Sequence, residues 1–242
     1  MTIASPKEIK TKISSTVPLS VSVVIPTLNE AGNISQAIAK AQQIKPLEVI
    51  VVDGGSQDGT LKKAEEADCC LVSPAGRSLQ MNAGAEIARG DVLLFLHADC
   101  WLEEGAIEAI QRSLQQPEIV GGCFRQKIES PGLLYRMLER GNSFRVKMLK
   151  WAYGDQGIFV RNEVFRRVGG FPAIQLMEDL FLMKNLKRLG KIELVDHPIT
   201  ISARRWKAKG VARQTLRNWL LITLAQCGVS PDRLAWFYES VR

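Results

Sequence analysis

The stretch Val92-Leu93-Leu94-Phe95-Leu96-His97-Ala98-Asp99 decides how this chain folds. Its five leading apolar residues run unbroken between Gly90-Asp91 and a polar cluster, which is typical of a strand buried on both faces. Open α/β sheets bind their ligands just beyond the carboxyl ends of such strands. A carboxylate is costly as core filler and useful as a ligand. Asp99 is therefore predicted to belong to a binding site.

The residues before this stretch alternate short apolar runs with helical periodicity. Strands are predicted at Val21–Ile25, Glu48–Val52 and Cys69–Val72, with helices at 34–44, 57–67 and 76–88. This alternation is typical of a parallel, doubly wound sheet. The fold class is therefore α/β, a Rossmann-like, mostly parallel sheet flanked by helices.

The alternation of predicted strands and helices becomes less regular after Asp99. Strands are predicted at 120–124 and 156–160, and helices at 103–115, 133–151 and 178–189. The sequence contains no internal repeat and no low-complexity tract. We expect a single domain with a helical C-terminal extension.

Composition is that of an ordinary globular protein, with 46% hydrophobic and 24% charged residues. No secretory signal and no apolar run of about 20 residues occur, so a cytoplasmic location is expected. The five cysteines lack C-x-x-C spacing, which favours buried free thiols over a zinc site. A net charge of +7 favours anionic partners, with nucleic acid, phosphorylated small molecules and acidic lipid all open on charge alone.

Acidic residues follow three of the predicted strands. Glu30 follows the first strand, Asp53 ends the second, and Asp99 ends the opening stretch. Glu30 is equally explained as a helix start capped by Asn29, and an Asp-Gly turn explains Gly54. Because neighbouring parallel strands end side by side, the three acids together predict one polar crevice.

The motifs at these strand ends resemble those of a known family. Val-Val-Ile-Pro-Thr-Leu-Asn-Glu, Val-Ile-Val-Val-Asp-Gly-Gly-Ser-Gln-Asp-Gly-Thr and Leu-Phe-Leu-His-Ala-Asp are similar to the family 2 glycosyltransferases. Gly154-Asp155-Gln156-Gly157, Gly169-Gly170-Phe171 and Met177-Glu178-Asp179 follow in the expected order. The resemblance covers 21–206, looks closest to a small soluble bacterial branch with a His-Ala-Asp signature, and implies a GT-A fold using nucleotide-sugar donors.

The resemblance also implies an organisation of the chain. It makes 1–20 a loose leader, 21–206 a single GT-A catalytic domain and 207–242 C-terminal helices. Within the domain, 21–100 would bind the nucleotide and 101–206 the acceptor.

Residue roles follow from the same resemblance. Asp179 matches the catalytic base, beside Glu178, and Asp99 matches the metal-binding aspartate; His197 is a second candidate metal ligand. The residues implied in donor binding are Pro26, Thr27, Glu30, Asp53, Gly55, Arg77, Asn82, His97, Ala98, Arg204 and Arg205.

The implied chemistry is transfer of a sugar from a UDP- or GDP-linked donor to a hydroxyl acceptor, a small molecule or a lipid-linked one. Mn²⁺ or Mg²⁺ at Asp99 would neutralise charge on the leaving diphosphate, taking its other ligands from phosphate and water. A carboxylate base at Asp179 would accept the acceptor's proton. One direct displacement of this kind inverts the anomeric centre.

The sequence departs from the family pattern at two places. His97 replaces the first acid of Asp-x-Asp, and it would contact the diphosphate or a water, or simply pack. Ser202-Ala203-Arg204-Arg205-Trp206 lacks the glutamine of processive members, which argues against polymer synthesis. Arg204 or Arg205 would clamp the pyrophosphate, or form a solvated basic run.

A basic segment covers 200–219, where six Lys or Arg residues occur without an acid. Apolar residues interleaved with the basic ones predict an amphipathic helix. This helix would either bind anionic lipid through 200–220 or pack against the rest of the domain, and we slightly favour packing. Peripheral contact with the inner membrane face and a homo-oligomer both stay open, and no nucleic-acid partner is expected.

Two other functions compete with sugar transfer. A nucleotidyltransferase would share the nucleotide-binding half, but its Gly-rich, basic loop is replaced here by Pro26-Thr27-Leu28-Asn29-Glu30. A non-enzymatic binder of nucleic acid or lipid leaves Asp99 and Asp179 unexplained, because binding an anion gains nothing from buried carboxylates.

Overall fold

A computed structural model describes residues 18–204, 206, 210–226 and 228–235. Its core is one eight-stranded sheet of order β3-β2-β1-β4-β7-β6-β8-β5. The strands are β1 Val21–Thr27, β2 Glu48–Asp53, β3 Cys69–Val72, β4 Val92–Phe95, β5 Cys100–Leu102, β6 Ile119–Glu129, β7 Ile158–Arg161 and β8 Lys191–Ser202.

Helices flank this sheet, and two of them follow its last strand in the sequence. They are α1 Ile34–Gln43, α2 Thr60–Ala64, α3 Arg77–Ile87, α4 Ala106–Ser113, α5 Leu133–Leu149, α6 Asn162–Arg167, α7 Glu178–Leu186, α8 Val211–Gln226 and α9 Pro231–Ala235. A 3-10 turn covers Gly154–Gln156. No described helix is long and apolar enough to cross a membrane.

The first half of the sheet is parallel, as predicted. β1 pairs in parallel with β2 on one side and with β4 on the other, and β2 pairs in parallel with β3. The register places Thr27 opposite Asp53, so the carboxyl ends of β1 and β2 lie side by side. The strand ends carrying the predicted site residues therefore meet at one edge.

Both faces of these strands are buried because their side chains alternate between two apolar clusters. On β4, Val92 and Leu94 belong to one cluster, while Leu93 and Phe95 belong to the other. Helices on each side of the sheet complete the two clusters. The opening stretch is thus a doubly buried strand, and Asp99 lies beyond its end.

The second half of the sheet is mixed, and here the sequence predictions were incomplete. β4 pairs antiparallel with β7, and β6 runs to Glu129 rather than ending at Phe124. The short strand β5 and the short helix α6 were not predicted, and α2 is shorter than the helix predicted at 57–67. Short elements carry too little periodicity to be recognised from sequence alone.

The strand β8 was missed for a different reason. Its buried aliphatic residues are separated by charged residues, His197 and Pro198, which obscure the strand period. The pairing with β6 shifts register where Val195 faces Phe124 and Pro198 faces Arg125, which leaves Asp196 and His197 in a bulge. Bulges tolerate proline and break the alternation of side chains.

Most of the leader predicted at 1–20 lies outside the described residues, which begin at 18. Leu19 and Ser20 are anchored rather than loose, because Ser20 Oγ donates to Asp91 Oδ2 at 2.7 Å and Gln111 donates to the Leu19 carbonyl at 2.8 Å. The basic helix predicted across 200–219 is also wrong in extent. Residues 200–202 belong to β8, and α8 begins at Val211.

Candidate active site

The loops after β1 and β2 are joined by hydrogen bonds. Asp53 is fully buried, and its carboxylate accepts from the backbone N–H groups of Gly55 at 2.9 Å and Ser56 at 2.8 Å. Ser56 Oγ in turn accepts from the Asn29 N–H at 2.8 Å. Gly55 has φ +90, a left-handed conformation that favours glycine. Asp53 therefore fixes the shape of this crevice wall.

Gln80 on α3 closes the gap between the same strands. Its buried amide donates to the carbonyl of Thr27 at 2.6 Å and to that of Val52 at 2.9 Å. Thr27 Oγ1 is buried and has no hydrogen-bond partner within the described part of the chain. Pro26 lies within β1 opposite Val52. Nothing in the sequence signalled Gln80, whose role depends on packing of α3 across two strand ends.

Glu30 connects the β1 end of the crevice with Arg204, two residues after the end of β8. Its carboxylate accepts from Asn33 Nδ2 at 2.6 Å and lies 3.9 Å from the Arg204 guanidinium. The Arg204 side chain is 48% exposed, so this ion pair is weak and leaves the guanidinium able to contact an anion. Arg205 lies outside the described residues.

Asp99 lies in a cluster suited to a divalent ion. Among the described residues, His97, Asp99 and Cys100 form the one such group, with potential ligand atoms within 4.8 Å of one another. Cys100 Sγ lies 3.6 Å from Asp99 Oδ1. A carboxylate beside an imidazole fits Mn²⁺ well, and Mg²⁺ through the carboxylate. The donor set therefore fits the predicted ion at Asp99.

His197 is not part of that cluster, contrary to its candidate role as a metal ligand. Ser202 donates its N–H to the Asp99 carbonyl, so Asp99 faces the far end of β8. His197 lies five positions before Ser202 along the strand, which corresponds to roughly 15 Å. The His197 ring instead lies 3.3 Å from the Glu103 carbonyl.

A cleft of about 160 Å³ adjoins Asp99. Polar and charged side chains line most of it, Lys40 and Arg204 supplying positive charge and Glu129 negative charge. Ala98 and Trp101 form part of its wall. The predicted Arg204 and Ala98 are thus brought to Asp99.

Asp179, at the start of α7, is held by two backbone donors. The Gly154 N–H donates to Oδ2 at 2.7 Å and the Leu180 N–H to Oδ1 at 2.6 Å. Burial, and after it the neighbouring Glu178 carboxylate, raise the pKa of Asp179 to about 7, against the lowering effect of these hydrogen bonds and of Arg77. A carboxylate with this pKa exchanges protons near neutrality.

Glu178 is buried and pairs with Arg77 across the helices α3 and α7. The guanidinium Nη1 lies 3.3 Å from Glu178 Oε1. Met177, immediately before, adopts a left-handed conformation with φ 66. Non-glycine residues held this way cost of order 1–3 kcal/mol and concentrate at functional sites. The helix start that presents Asp179 is therefore fixed by an ion pair and a strained residue.

Gly154 joins the His97 cluster to Asp179. A Cβ at this position would lie 2.5 Å from His97 Nε2 and 3.7 Å from Asp179 Oδ2. Only glycine leaves room for the imidazole there. The 3-10 turn therefore contacts both chemical groups through one residue.

That turn is itself supported from α5. The buried Arg145 donates to Gln156 Oε1 at 2.8 Å and to the Trp151 carbonyl at 3.1 Å, and stacks 3.8 Å from the Tyr153 ring centroid. Burial raises the pKa of Tyr153 to about 12, so its hydroxyl stays protonated. Sequence motifs pointed to Gly154 and Gln156 but not to Arg145 or Tyr153.

Asn82 faces the Gly169-Gly170-Phe171 loop rather than the crevice end. Its Nδ2 donates to the Phe171 carbonyl at 2.8 Å, and its Oδ1 accepts from the Phe171 N–H at 2.9 Å. The amide is thus committed to the backbone of one residue. Its placement is that of a clamp between α3 and the loop before α7.

Contacts link most of the predicted residues around one crevice, whereas Asn82 and His197 lie elsewhere and Arg205 is outside the described residues. Thr27, Glu30 and Asp53 form one wall. The candidate ion-binding cluster of His97, Asp99 and Cys100 is connected to Asp179 by Gly154, and Arg77 supports α7. This fold and this crevice define the GT-A class of glycosyltransferases.

The family is established by comparison with known proteins. Residues 22–170 match the model of Glycosyl transferase family 2. The chain belongs to that family.

Curated relatives are consistent with this family. The glycosyltransferase AglE of Haloferax volcanii is 32% identical over 183 residues, 66% of this chain and 58% of AglE. The O-antigen chain rhamnosyltransferase RfbN of Salmonella typhimurium is 25% identical over 197 residues, 71% of this chain and 62% of RfbN. The chain thus spans less than two thirds of either relative.

Solved structures share the fold. The mannosyltransferase PcManGT of Pyrobaculum calidifontis, in complex with GDP-Man and Mn²⁺, matches 93% of this chain and 71% of its own, with a TM-score of 0.63 and 18% identity. TarS of S. aureus in complex with UDP-GlcNAc matches 76% of this chain and 58% of its own, with a TM-score of 0.59 and 17% identity.

Proposed function

We propose that the protein is an inverting glycosyltransferase that moves a sugar from a nucleotide-sugar donor to a hydroxyl acceptor, with a divalent ion at Asp99. The observation that carries the proposal is the position of Gly154. Its N–H holds Asp179 at 2.7 Å, while its α-carbon borders the His97 ring. The base and the ion-binding side of the crevice are thus coupled through one residue.

Asp179 is proposed as the general base. A pKa of about 7 leaves much of the carboxyl ionised at neutral pH while keeping it basic enough to take a proton. Its Oδ2 and Oδ1 are oriented by Gly154 and Leu180, so a remaining lone pair is fixed in direction. The acceptor hydroxyl would give its proton to this carboxylate as its oxygen attacks the anomeric carbon. Attack from the face opposite the leaving diphosphate inverts that centre.

Asp99 and His97 are proposed as the residues that hold the ion, either Mn²⁺ or Mg²⁺. When bound, the ion would stabilise negative charge on the departing diphosphate. The solved neighbour with GDP-Man and Mn²⁺ supports this assignment. Arg204, at the edge of the adjoining cleft, would add a charge-assisted hydrogen bond to a phosphate oxygen.

Residues of the β1 and β2 ends are proposed to bind the nucleoside. The buried Thr27 hydroxyl lacks a protein partner within the described chain, which leaves it available. Asp53 already accepts two N–H bonds on Oδ2 and the Ser56 hydroxyl on Oδ1, which leaves about one of the four acceptor positions of a carboxylate. The assignment of 21–100 to the donor and 101–206 to the acceptor forms part of this proposal. Neighbours that bind GDP-Man and UDP-GlcNAc support a GDP- or UDP-linked donor.

The test separates binding from turnover. Asp179→Asn is expected to keep donor affinity within about threefold, because the carboxamide retains the size of the carboxyl, and to lower turnover by about 10²–10⁴-fold. Asp196, whose side chain is 90% exposed, supplies the matched control Asp196→Asn, which should leave both unchanged. Calorimetry gives donor affinity, and release of nucleoside diphosphate gives turnover.

Either of two results would refute the assignment. Turnover of Asp179→Asn equal to that of the wild type removes the base role. An α-linked product from an α-linked donor, read by proton NMR, removes the inverting mechanism.

A further inference from the structure

The outer face of α5 is apolar and has no partner among the described residues. Leu133, Met137, Phe144 and Met148 lie one above another at helical spacing, with Leu134 beside them. Leu133 is 72% exposed, Phe144 66% and Met148 63%. Scattered exposed apolar residues are ordinary, but an apolar stripe along one helix marks an interaction surface.

Positive charge borders this stripe. Arg140 and Lys147 lie on the same outer face, next to the apolar residues in helical projection. Glu139 is the single acid of this helix, and it faces inward, where it accepts from the Ile128 N–H at 2.6 Å and pairs with Arg136 at 2.9 Å. The outer face is therefore purely apolar and cationic.

We propose that this face of α5 docks the protein on an anionic phospholipid surface. A helix of 17 residues is about 25 Å long, enough to lie along a membrane surface. The Leu, Met and Phe side chains would enter the boundary between headgroups and acyl chains, and Arg140 and Lys147 would meet lipid phosphates. This places membrane contact on α5, not on 200–220.

Charge decides between a lipid and a second copy of the chain. In a symmetric contact, each copy presents the same patch to its partner. That patch carries cations and no acid, so two copies would bring cations together with no opposite charge from either side, and like charges at an interface are unfavourable. An anionic bilayer instead supplies the opposite charge over the whole length of the helix. Lipid is therefore the occupant that matches both properties of the face.

The inner face of the same helix reaches the candidate active site. Arg145 holds Gln156 of the 3-10 turn, and Gly154 of that turn holds Asp179. Docking through α5 would thus bring the acceptor side of the crevice close to the membrane surface. The inference does not depend on the proposed activity, because binding to vesicles is measured without turnover.

The test is cosedimentation of the full chain with vesicles of phosphatidylcholine, with and without phosphatidylglycerol. The wild type should bind the anionic vesicles and bind the neutral ones much less. Met137→Asp with Phe144→Asp should weaken binding to anionic vesicles by at least tenfold. The matched control is Leu216→Asp with Leu220→Asp, two exposed apolar residues on α8, which should change binding less than threefold.

Charge is tested separately with Arg140→Gln and Lys147→Gln. Each basic residue removed near an anionic surface is expected to weaken binding about fivefold. Circular dichroism and thermal unfolding would establish that each variant folds, as expected for exposed positions.

Three outcomes would overturn the proposal. The first is that the wild-type protein does not bind anionic vesicles. The second is an α8 variant that loses binding while the α5 variant keeps it. The third is a dimer in analytical ultracentrifugation that Met137→Asp with Phe144→Asp dissociates, because the face would then belong to a second copy.

Discussion

Replacing Gly154 by alanine probes the connection between Asp179, the proposed base, and the cluster proposed to bind the ion. The backbone of Gly154 lies outside the left-handed region, so alanine meets no conformational barrier there. The added methyl would lie 2.5 Å from His97 Nε2 and 2.8 Å from His97 Cε1. Ordinary contacts between such atoms are about 3.5–4.0 Å, so the ring or the turn must move by roughly 1 Å.

The size of the effect follows from that displacement. A misplacement of 1 Å near reacting groups can cost about 10²-fold in rate. Moving the turn instead of the ring would lengthen the 2.7 Å hydrogen bond from the Gly154 N–H to Asp179, with a similar consequence. We therefore expect Gly154→Ala to lower kcat/KM by about 10²-fold and to weaken Mn²⁺-dependent donor binding. Nucleoside diphosphate release and calorimetry would measure these changes.

Gly141 on α5 supplies the matched control. A Cβ there has nothing within 4 Å, and alanine is favoured over glycine inside a helix by roughly 0.5–1 kcal/mol. Gly141→Ala should keep wild-type activity and should unfold at a slightly higher temperature than the wild type. Wild-type kcat/KM and donor binding in Gly154→Ala would refute the coupling that we infer between His97 and Asp179.

Four further results are expected. Because the pKa of Asp179 is raised to about 7, kcat/KM of the wild type should fall about tenfold per pH unit below pH 7, and a profile that stays flat to pH 5 would contradict its role as base. Because the pKa of Asp179 is raised in the folded state, ionising this carboxyl lowers the stability of the wild type as pH rises from about 4 to 7. The melting temperature of Asp179→Asn should therefore rise relative to that of the wild type between about pH 4 and 7, and not below about pH 4. Glu178→Gln removes a charge that raises this pKa, so the acid limb of the rate profile should move to lower pH; a shift to higher pH would exclude that electrostatic effect. Asn82→Ala removes two hydrogen bonds to Phe171 and should lower the free energy of unfolding by about 1–3 kcal/mol, measured in urea, whereas an unchanged value would deny its clamping role.

The nucleotide-binding half could be predicted from the sequence because its signals are local. Short, mainly apolar runs marked β1, β2 and β4, and each is followed within two positions by a predicted site residue, Thr27, Asp53 or His97. Parallel pairing of neighbours then brings Thr27, Asp53 and the end of β4 together without any knowledge of tertiary contacts.

The second half could not be predicted to the same extent, because its determinants are long-range. β8 is interrupted by a bulge whose register depends on β6, a strand more than sixty positions earlier in the chain. Gln80 and Arg145 act by reaching residues of other elements, Thr27 in one case and Gln156 in the other. No spacing rule connects such pairs. The misplaced role of His197 has the same origin, since only the sheet pairing separates it from Asp99.

Metal-dependent donor binding is the most direct test of the central claim. The wild type should be titrated calorimetrically with GDP-mannose and UDP-GlcNAc, with Mn²⁺ and with chelator, beside Asp99→Ala and the surface control Asp196→Asn. We predict that one donor binds the wild type and the control only with the ion, and that Asp99→Ala abolishes this ion-dependent binding. Donor binding that is the same with chelator, or that survives in Asp99→Ala, would contradict the account.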